Sequence, residues 1–435
     1  MLEKFQRHIE VNFPIVNKKN LLIACSGGLD SVVLTHLCVQ CNLNITLAHC
    51  NFKLRGAESD GDEIFVKQLA EELNVEYVSV VFDTLKEVTE HGGSVQMVAR
   101  KLRYEWFETV LDERKLDYIL TAHHADDALE TFIINLSRVT GIDGLSGIPE
   151  SNGKILRPLL PFSRQKILEY AKSKRLKWRE DSSNSDSKYL RNKIRMDITP
   201  KLKELHPTFL NNFLMTQTFL SQSKTVLENR IKEVKEKVFK EKGDTVKVRI
   251  ADLKALQPLE MYLYGLFKGY GFTEWDDVKS LLDAMSGKEI HSNTHRLLKD
   301  RDFLLLRPKQ EKPEAIFFID ENKERIEAPI PLHIETTAEF EKLDGSIVFL
   351  DKEKLNYPLT LRKWKKGDYF YPLGMQGKKK LSKFFKDEKM DVFSKEAQWL
   401  LCSGEEIVWV IGKRADERFK IDGNTTQIVK ITYLI

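Results

Sequence analysis

Residues 26-SGGLDS-31 stand between an apolar run, 20-NLLIAC-25, and an amphipathic stretch. Gly27 and Gly28 let the backbone approach a ligand closely and take up unusual dihedrals. Exposed N–H groups at a helix start attract phosphate oxygens, and the hydroxyls of Ser26 and Ser31 add donors. The hexapeptide Ser26, Gly27, Gly28, Leu29, Asp30, Ser31 therefore reads as a phosphate-binding loop. The chain has neither a GxxxxGK string ending in Ser or Thr nor a GxGxxG string, so it is not one of the two common dinucleotide or triphosphate loops. It carries a carboxylate, Asp30, where a cation is expected. A carboxylate beside a triphosphate is repulsive unless a divalent cation lies between them, and hard oxygen ligands suit Mg2+. Asp30 reads as a Mg2+ ligand; its structural alternative is a helix N-cap.

A second polar cluster lies in 121-TAHHADDALETFIINLSR-138, with His123, His124, Asp126, Asp127 and Glu130 at a strand-to-helix turn. Asp127 with Glu130, or Asp126 with Glu130, share one helix face. One carboxylate would complete a Mg2+ site, with Asp127 the candidate beside Asp30, or hold an incoming amine and accept its proton. A capped, solvated helix start is the structural alternative. Zinc fits less well, because no cysteine or third histidine is spaced to complete its shell. Arg100 and Arg103 in 99-ARKLRYEWF-107 are three apart, and their guanidinium forks suit phosphate or carboxylate unless they are plain surface arginines. Arg191, Asn192 and Arg195 follow the acidic, serine-rich run 180-EDSSNSDS-187 and read similarly. His49 and Asn51 end another strand-like run, where a nucleotide would lie, and Arg55 is within reach of a phosphate. Gly141, Gly144 and Gly147 read as a loop over the site or as an ordinary turn.

These residues need a scaffold that gathers them. Apolar runs at 20–25, 44–50, 75–82, 117–123 and 154–160 alternate with helical patterns near 31–41, 58–74, 95–115, 126–138 and 163–176. That alternation predicts a doubly wound parallel sheet in an α/β domain. Its ligand sits at the carboxyl ends of the strands, where the candidates fall. The pattern turns helical over 206–315, where Leu220, Leu227, Ile231, Val234 and Val238 share a face. Pro-dotted alternating runs suggest a linker with edge strands over 316–345, and 346–435 reads as a small mixed α/β domain. The expected division is thus 1–205, 206–315, 316–345 and 346–435, and 435 residues suit about three domains.

Net charge is +4, but 361–390 holds ten Lys or Arg against three Asp or Glu. Lys378, Lys379 and Lys380 stand there among Tyr369, Phe370 and Tyr371, a mixture suited to RNA phosphates and bases unless it is a solvated face. The amino-terminal residues lack the apolar core of a secretory signal, and no apolar run reaches the length of a membrane span. The cysteines (Cys25, Cys38, Cys41, Cys50, Cys402) are few and clustered, which fits a reducing cytoplasm and not a disulfide framework.

The loop is similar to the signature of the PP-loop ATP pyrophosphatase superfamily, whose members cleave ATP to AMP and pyrophosphate. Together with 49-HCNFKLRGAESDGDEIFV-66, 99-ARKLRYEWF-107, 141-GIDGLSGI-148, 156-LRPLL-160, 367-GDYFYPLGMQGKKKLSKFF-385 and 409-WVIGKRADERFKI-421, it resembles the tRNA(Ile)-lysidine synthetase family along essentially the whole chain. The resemblance implies a PP-loop, Rossmann-like first domain and tRNA-binding middle and C-terminal domains. It implies that ATP adenylates the C2 oxygen of the wobble cytidine of a CAU-anticodon isoleucine tRNA. The ε-amine of free L-lysine then displaces AMP. It assigns Asp30, Asp127, Arg103 and Arg195 to catalysis and the loop with His49 and Asn51 to nucleotide binding. Arg55, Arg100, Asp126, Glu130, Arg191, Asn192 and Lys378–Lys380 are assigned to substrate or tRNA. A homodimer is compatible with the resemblance, and no membrane partner is implied. The chain departs from the family pattern at Phe52, where a histidine is usual, at Ala128 for glutamine and at Ser182 for proline. Other readings are a PP-loop tRNA thiolase using 38-CVQC-41, a PP-loop enzyme amidating a small metabolite, and a non-catalytic tRNA-binding protein.

Overall fold

The computed structural model describes residues 1–180, 190–309, 316–338 and 345–434. The chain divides into two compact units, Met1–Leu227 and Glu228–Ile435. The first contains α1 (Leu2–Asn12), β1 (Asn20–Ala24), α2 (Leu29–Gln40), β2 (Asn44–Asn51), α3 (Ala57–Leu73), β3 (Glu76–Val81), α4 (Thr84–His91), α5 (Val95–Arg114), β4 (Tyr118–Leu120) and α6 (Ala125–Leu136). After these come α7 (Ile142–Leu145), β5 (Ser151–Asn152), β6 (Ile155–Leu156), α8 (Arg164–Ser173), α9 (Leu190–Lys193), a π-helical turn at Ile194–Ile198, α10 (Thr199–Glu204) and α11 (Phe209–Val238), which runs on into the second unit.

The six strands of this unit lie in the order β3-β2-β1-β4-β6-β5. All pairs are parallel except β5 with β6. Successive side chains of a strand point to opposite faces. Leu21 and Ile23 accordingly pack with α1, α2 and α8 through Phe5, Val33, Leu37 and Ile167. Leu22 packs on the other face with Phe107, Val110 and Leu111 of α5. Each such side chain, when fully buried, contributes about 1.5–3 kcal/mol. Both faces are covered, which is why these strands read as unbroken apolar runs. The chain leaves β1 toward β2 on one side and later returns to β4 on the other, and this reversal opens a crevice at the carboxyl ends of β1 and β4. The strand expected over 154–160 is confined to β6, because Pro158 has no N–H for a ladder and Arg157 turns inward.

The second unit opens with a five-stranded antiparallel sheet of β7 (Phe239–Lys242), β8 (Thr245–Arg249), β9 (Glu289–His291), β10 (His295–Asp300) and β11 (Phe303–Pro308), ordered β7-β8-β11-β10-β9. Helices α12 (Ile250–Lys254), α13 (Leu259–Phe267) and α14 (Trp275–Leu281) lie between β8 and β9 in sequence. The region is helical for the larger part, as the pattern predicts, but its sheet was not foreseen. A short run such as 303-FLLLRP-308 has no period that tells a buried strand from a helix.

The stretch read as a linker with edge strands holds β12 (Phe317–Ile319), β13 (Arg325–Ile326) and β14 (Leu332–Thr337). They pair with strands further on. Next come β15 (Ile347–Asp351), β16 (Leu359–Lys363), β17 (Tyr369–Phe370), β18 (Lys379–Lys380), α15 (Leu381–Asp387), α16 (Val392–Ala397), β19 (Trp399–Ser403), β20 (Glu406–Val410), β21 (Arg414–Ala415) and β22 (Ile428–Tyr433). Two sheets, β12-β16-β19-β20-β21 and β13-β14-β22-β15, close over one core that includes Ile319, Leu361, Leu401, Ile334, Val348 and Val429.

The basic segment divides by role. Arg362 donates to both oxygens of Asp368 at 2.7 and 3.0 Å, and Lys363 lies 4.0 Å over the Trp399 ring. These two brace the fold, whereas Lys378 and Lys380 are exposed. Lys379 pairs with Asp387 at 2.8 Å.

Candidate active site

The loop after β1 is built as its sequence requires. Gly27 has φ +84°, and a Cβ there would stand 3.3 Å from both Phe65 and Val66. Gly28 is extended and forms the N-cap of α2 with no side chain to satisfy the first-turn N–H groups. Those donors are left facing the crevice, as an anion site requires. Asp30 is in the first turn and is not the N-cap, which removes the capping alternative. Ser31 is buried and donates to the Gly28 carbonyl at 3.0 Å, so its hydroxyl braces the loop. Ser26 Oγ lies 3.3 Å from Ser31 Oγ. Beneath the loop, His49 Nδ1 meets the Cys25 carbonyl at 3.0 Å, and burial lowers the His49 pKa.

Asp30 Oδ1 is buried without a hydrogen-bond partner, and Oδ2 lies 3.6 Å from His124 Nε2. His124 is the N-cap of α6. Its Nδ1 accepts from the Asp127 N–H at 3.3 Å, while Asp127 Oδ2 accepts from the His124 N–H at 3.0 Å, a reciprocal capping box. Nδ1 is thus an acceptor and the ring proton sits on Nε2, facing Asp30 Oδ2 and Asp127 Oδ2. Burial pushes the His124 pKa down, but the Asp30 hydrogen bond and the surrounding carboxylates outweigh it and raise it overall. Burial likewise pushes the Asp127 carboxyl up, and His124 and Arg191 more than reverse this.

Glu130 lies one turn further along α6 and is 1% exposed. Arg191 donates to Glu130 at 2.9 Å and to Asp127 at 3.0 Å. Arg195, in the π-helical turn, donates to Glu130 at 2.6 and 2.9 Å and to Asp127 at 3.2 Å. Helix α9 and the turn after it therefore present two guanidinium forks to one acid pair. Asp126 points elsewhere: it accepts from the Arg164 N–H at 2.9 Å and pairs with Lys203, tying α8 and α10 to α6.

The crevice thus gathers Ser26, Gly27, Gly28, Leu29, Asp30, Ser31, Asp127, Glu130, Arg191 and Arg195. Other expected residues sit differently. Asn51 donates to Asp60 and Glu63 at 2.8 and 2.9 Å. Arg55 donates to Asp62 at 2.7 Å, and Arg179 donates to the same carboxylate at 2.7 Å while its N–H binds the Gly27 carbonyl at 2.9 Å. Asp62, though inside the motif 49–66, and Arg179 were not singled out, since each lies among other charged residues. Arg103 stands 5.2 Å from the Phe52 ring, which stacks on Phe82. Phe52, where the family pattern favours histidine, thus seats an arginine. Arg100 is exposed, with its guanidinium 4.9 Å from the Tyr104 ring. Residues 181–189, with most of the serine-rich run and Ser182, lie outside the described residues.

Among the described residues no group of three or more His, Cys, Asp or Glu is arranged to hold a metal. Magnesium does not need one: it takes one or two carboxylates and fills its shell with water and phosphate oxygens. The buried, unpartnered Oδ1 of Asp30 is a hard oxygen of that kind.

Comparison with known proteins covers nearly the same ground. A PP-loop domain model matches residues 1–202, a TilS substrate binding domain matches 241–309 and a TilS substrate C-terminal domain matches 359–432. The chain is 39% identical to a tRNA(Ile)-lysidine synthase of Parabacteroides distasonis over 100% of both chains. It is 31% identical to one from Caldanaerobacter subterraneus subsp. tengcongensis, over 100% of this chain and 97% of that protein. Among solved structures, the U34-tRNA thiolase NcsA from Methanococcus maripaludis is 22% identical with a TM-score of 0.43, covering 50% of this chain and 78% of that one.

Proposed function

Because the chain belongs to the tRNA(Ile)-lysidine synthase family, we propose that it joins free L-lysine to C2 of the wobble cytidine of a CAU-anticodon isoleucine tRNA. ATP is consumed to AMP and pyrophosphate. The tRNA then reads AUA in place of AUG. One observation carries the reading: an uncapped helix start bearing a buried, unpartnered carboxylate oxygen, Asp30 Oδ1, faces the acid pair Asp127 and Glu130 through His124.

The loop backbone and the N–H groups at the start of α2 hold the triphosphate. Asp30 and Asp127 would hold Mg2+, which would offset the triphosphate charge beside them. The cytidine C2 oxygen bonds to the α-phosphorus and pyrophosphate leaves. The lysine ε-ammonium gives up a proton, its nitrogen bonds to C2 and loses a second proton, and AMP departs with the oxygen. In-line positioning in a closed crevice supplies much of the rate. Glu130, beside Asp127, orients the cationic lysine. The two carboxylates are already matched to the cations Arg191 and Arg195, so lysine enters by exchanging with a guanidinium on a prepared acid pair.

The exposed Lys378 and Lys380 add phosphate affinity for the tRNA. The reaction belongs in the cytoplasm, where tRNA, ATP and lysine meet. A thiolase finds no support in 38-CVQC-41: Cys38 is fully buried, and burial raises both thiol pKa values. The test is direct. Protein, ATP, Mg2+ and labelled lysine are incubated with the CAU isoleucine tRNA transcript. Label is expected in the RNA with one pyrophosphate per lysine; a transcript left unlabelled while ATP binds would overturn the reading.

A further inference from the structure

Arg157 follows β6 directly and is 5% exposed. Its Nη1 donates to the Pro149 carbonyl at 2.8 Å, and Tyr104 lies beside it. Its Nε is buried with no hydrogen-bond partner. Every acceptor it has is neutral, and among the described residues no carboxylate pairs with it. A buried guanidinium without a counter-charge is costly, and such charges are almost always paired.

The surroundings deepen the imbalance. Tyr104 carries the Arg100 guanidinium 4.9 Å from its ring centroid, so two cations adjoin one aromatic side chain. His123 lies three residues beyond the adjacent strand β4, with Nδ1 2.9 Å from Thr121 Oγ1, where the charges of Arg157, Arg191 and Arg100 together oppose that of Asp127. The Thr121 N–H binds the Leu156 carbonyl at 3.0 Å, which fixes His123 and Arg157 on neighbouring strand ends. The phosphate loop follows β1, and β4 and β6 lie on the side of β1 away from β2. The cations therefore flank the half of the crevice left for the acceptor.

We propose that Arg157, Arg100 and His123 form an oxyanion site for the acceptor substrates, distinct from the triphosphate site. It takes either a phosphodiester beside the target cytidine or the α-carboxylate of lysine. The missing counter-charge of Arg157 is supplied by the substrate. This rests on the proposed reaction.

The experiment compares Arg157→Gln and Arg100→Gln with the parent enzyme. ATP affinity is measured without tRNA, pyrophosphate release is followed against tRNA concentration, and lysine incorporation against lysine concentration. ATP affinity is expected to stay within about twofold, while one acceptor KM rises about tenfold or more, about 1.4 kcal/mol. A rise for tRNA identifies the phosphodiester; a rise for lysine identifies the carboxylate. Both acceptor KM values unchanged, or an equal fall in ATP affinity, overturns the site. If Arg157→Gln fails to fold, the exposed Arg100→Gln decides alone on the same criteria. A parent enzyme that never labels tRNA sinks the proposed function; an active parent with unaltered variants sinks only the oxyanion site.

Discussion

Asp126 and Asp127 are neighbours in the chain with different duties. Asp127 faces the crevice, while Asp126 fastens two other helices to α6. Spacing alone placed both on the site, because a carboxylate's duty depends on where the helix turns it. Asp30 is the reverse case: its oddity within a phosphate loop was readable at once, and the structure leaves its buried oxygen open. Asp30→Asn keeps the volume and removes the charge. Pyrophosphate release should fall by at least about a hundredfold, some 2.7 kcal/mol of barrier, while tRNA binding by filter retention stays unchanged. Near-parental release would remove Asp30 from the reaction.

His123 makes a prediction about pH. Burial, reinforced by three arginines against the opposing charge of Asp127, lowers its pKa to about 4. The unfolded ring takes its proton near 6.5, so as pH falls the unfolded state binds more protons than the folded one. Stability present above pH 6.5 is therefore lost as pH falls toward 4, by about 2 kcal/mol between pH 6.5 and 5. His123→Gln should flatten that part of a plot of unfolding free energy against pH. An unchanged slope would show that the ring does not titrate as its burial requires.

At the scale of elements, β1, α2, β2, α3, α5 and α6 were legible nearly to their ends, because strong alternation and long amphipathic stretches leave little choice of period. Short pieces were not. β5 and β6 are two residues each, and the hairpin of β7 and β8 joins its sheet only through β11, more than fifty residues on. The loop–helix junction was legible to within two residues, the helix starting at Leu29 and not at 31, since glycines there answer to a dihedral and to close neighbours. Gly27→Ala tests that reason. A left-handed alanine costs about 1–2 kcal/mol, and its Cβ would crowd Phe65 and Val66. The KM for ATP should rise about tenfold while the thermal midpoint moves only slightly. Unchanged ATP binding would show that the loop does not need this backbone.

At the scale of the whole molecule, the basic segment was legible as a composition but not as a division of labour. Ten cations in thirty residues looked uniform, yet Arg362 and Lys363 hold strands together, and Lys378 and Lys380 face solvent. Lys378→Ala with Lys380→Ala should weaken tRNA binding and make the slope of log affinity against log salt shallower by about 1 to 2, with ATP affinity untouched. A slope that does not move would assign the tRNA contacts elsewhere. The strand order β3-β2-β1-β4-β6-β5 has a consequence for how such an enzyme changes its substrate. The proposed phosphate loop hangs from β1, and His123, Glu130 and Arg157, on the proposed recipient side, follow β4 and β6. The two halves share one strand boundary, so the recipient half can be rewritten by evolution or by grafting while the activating half stays intact, much as a tool head is exchanged on a fixed handle.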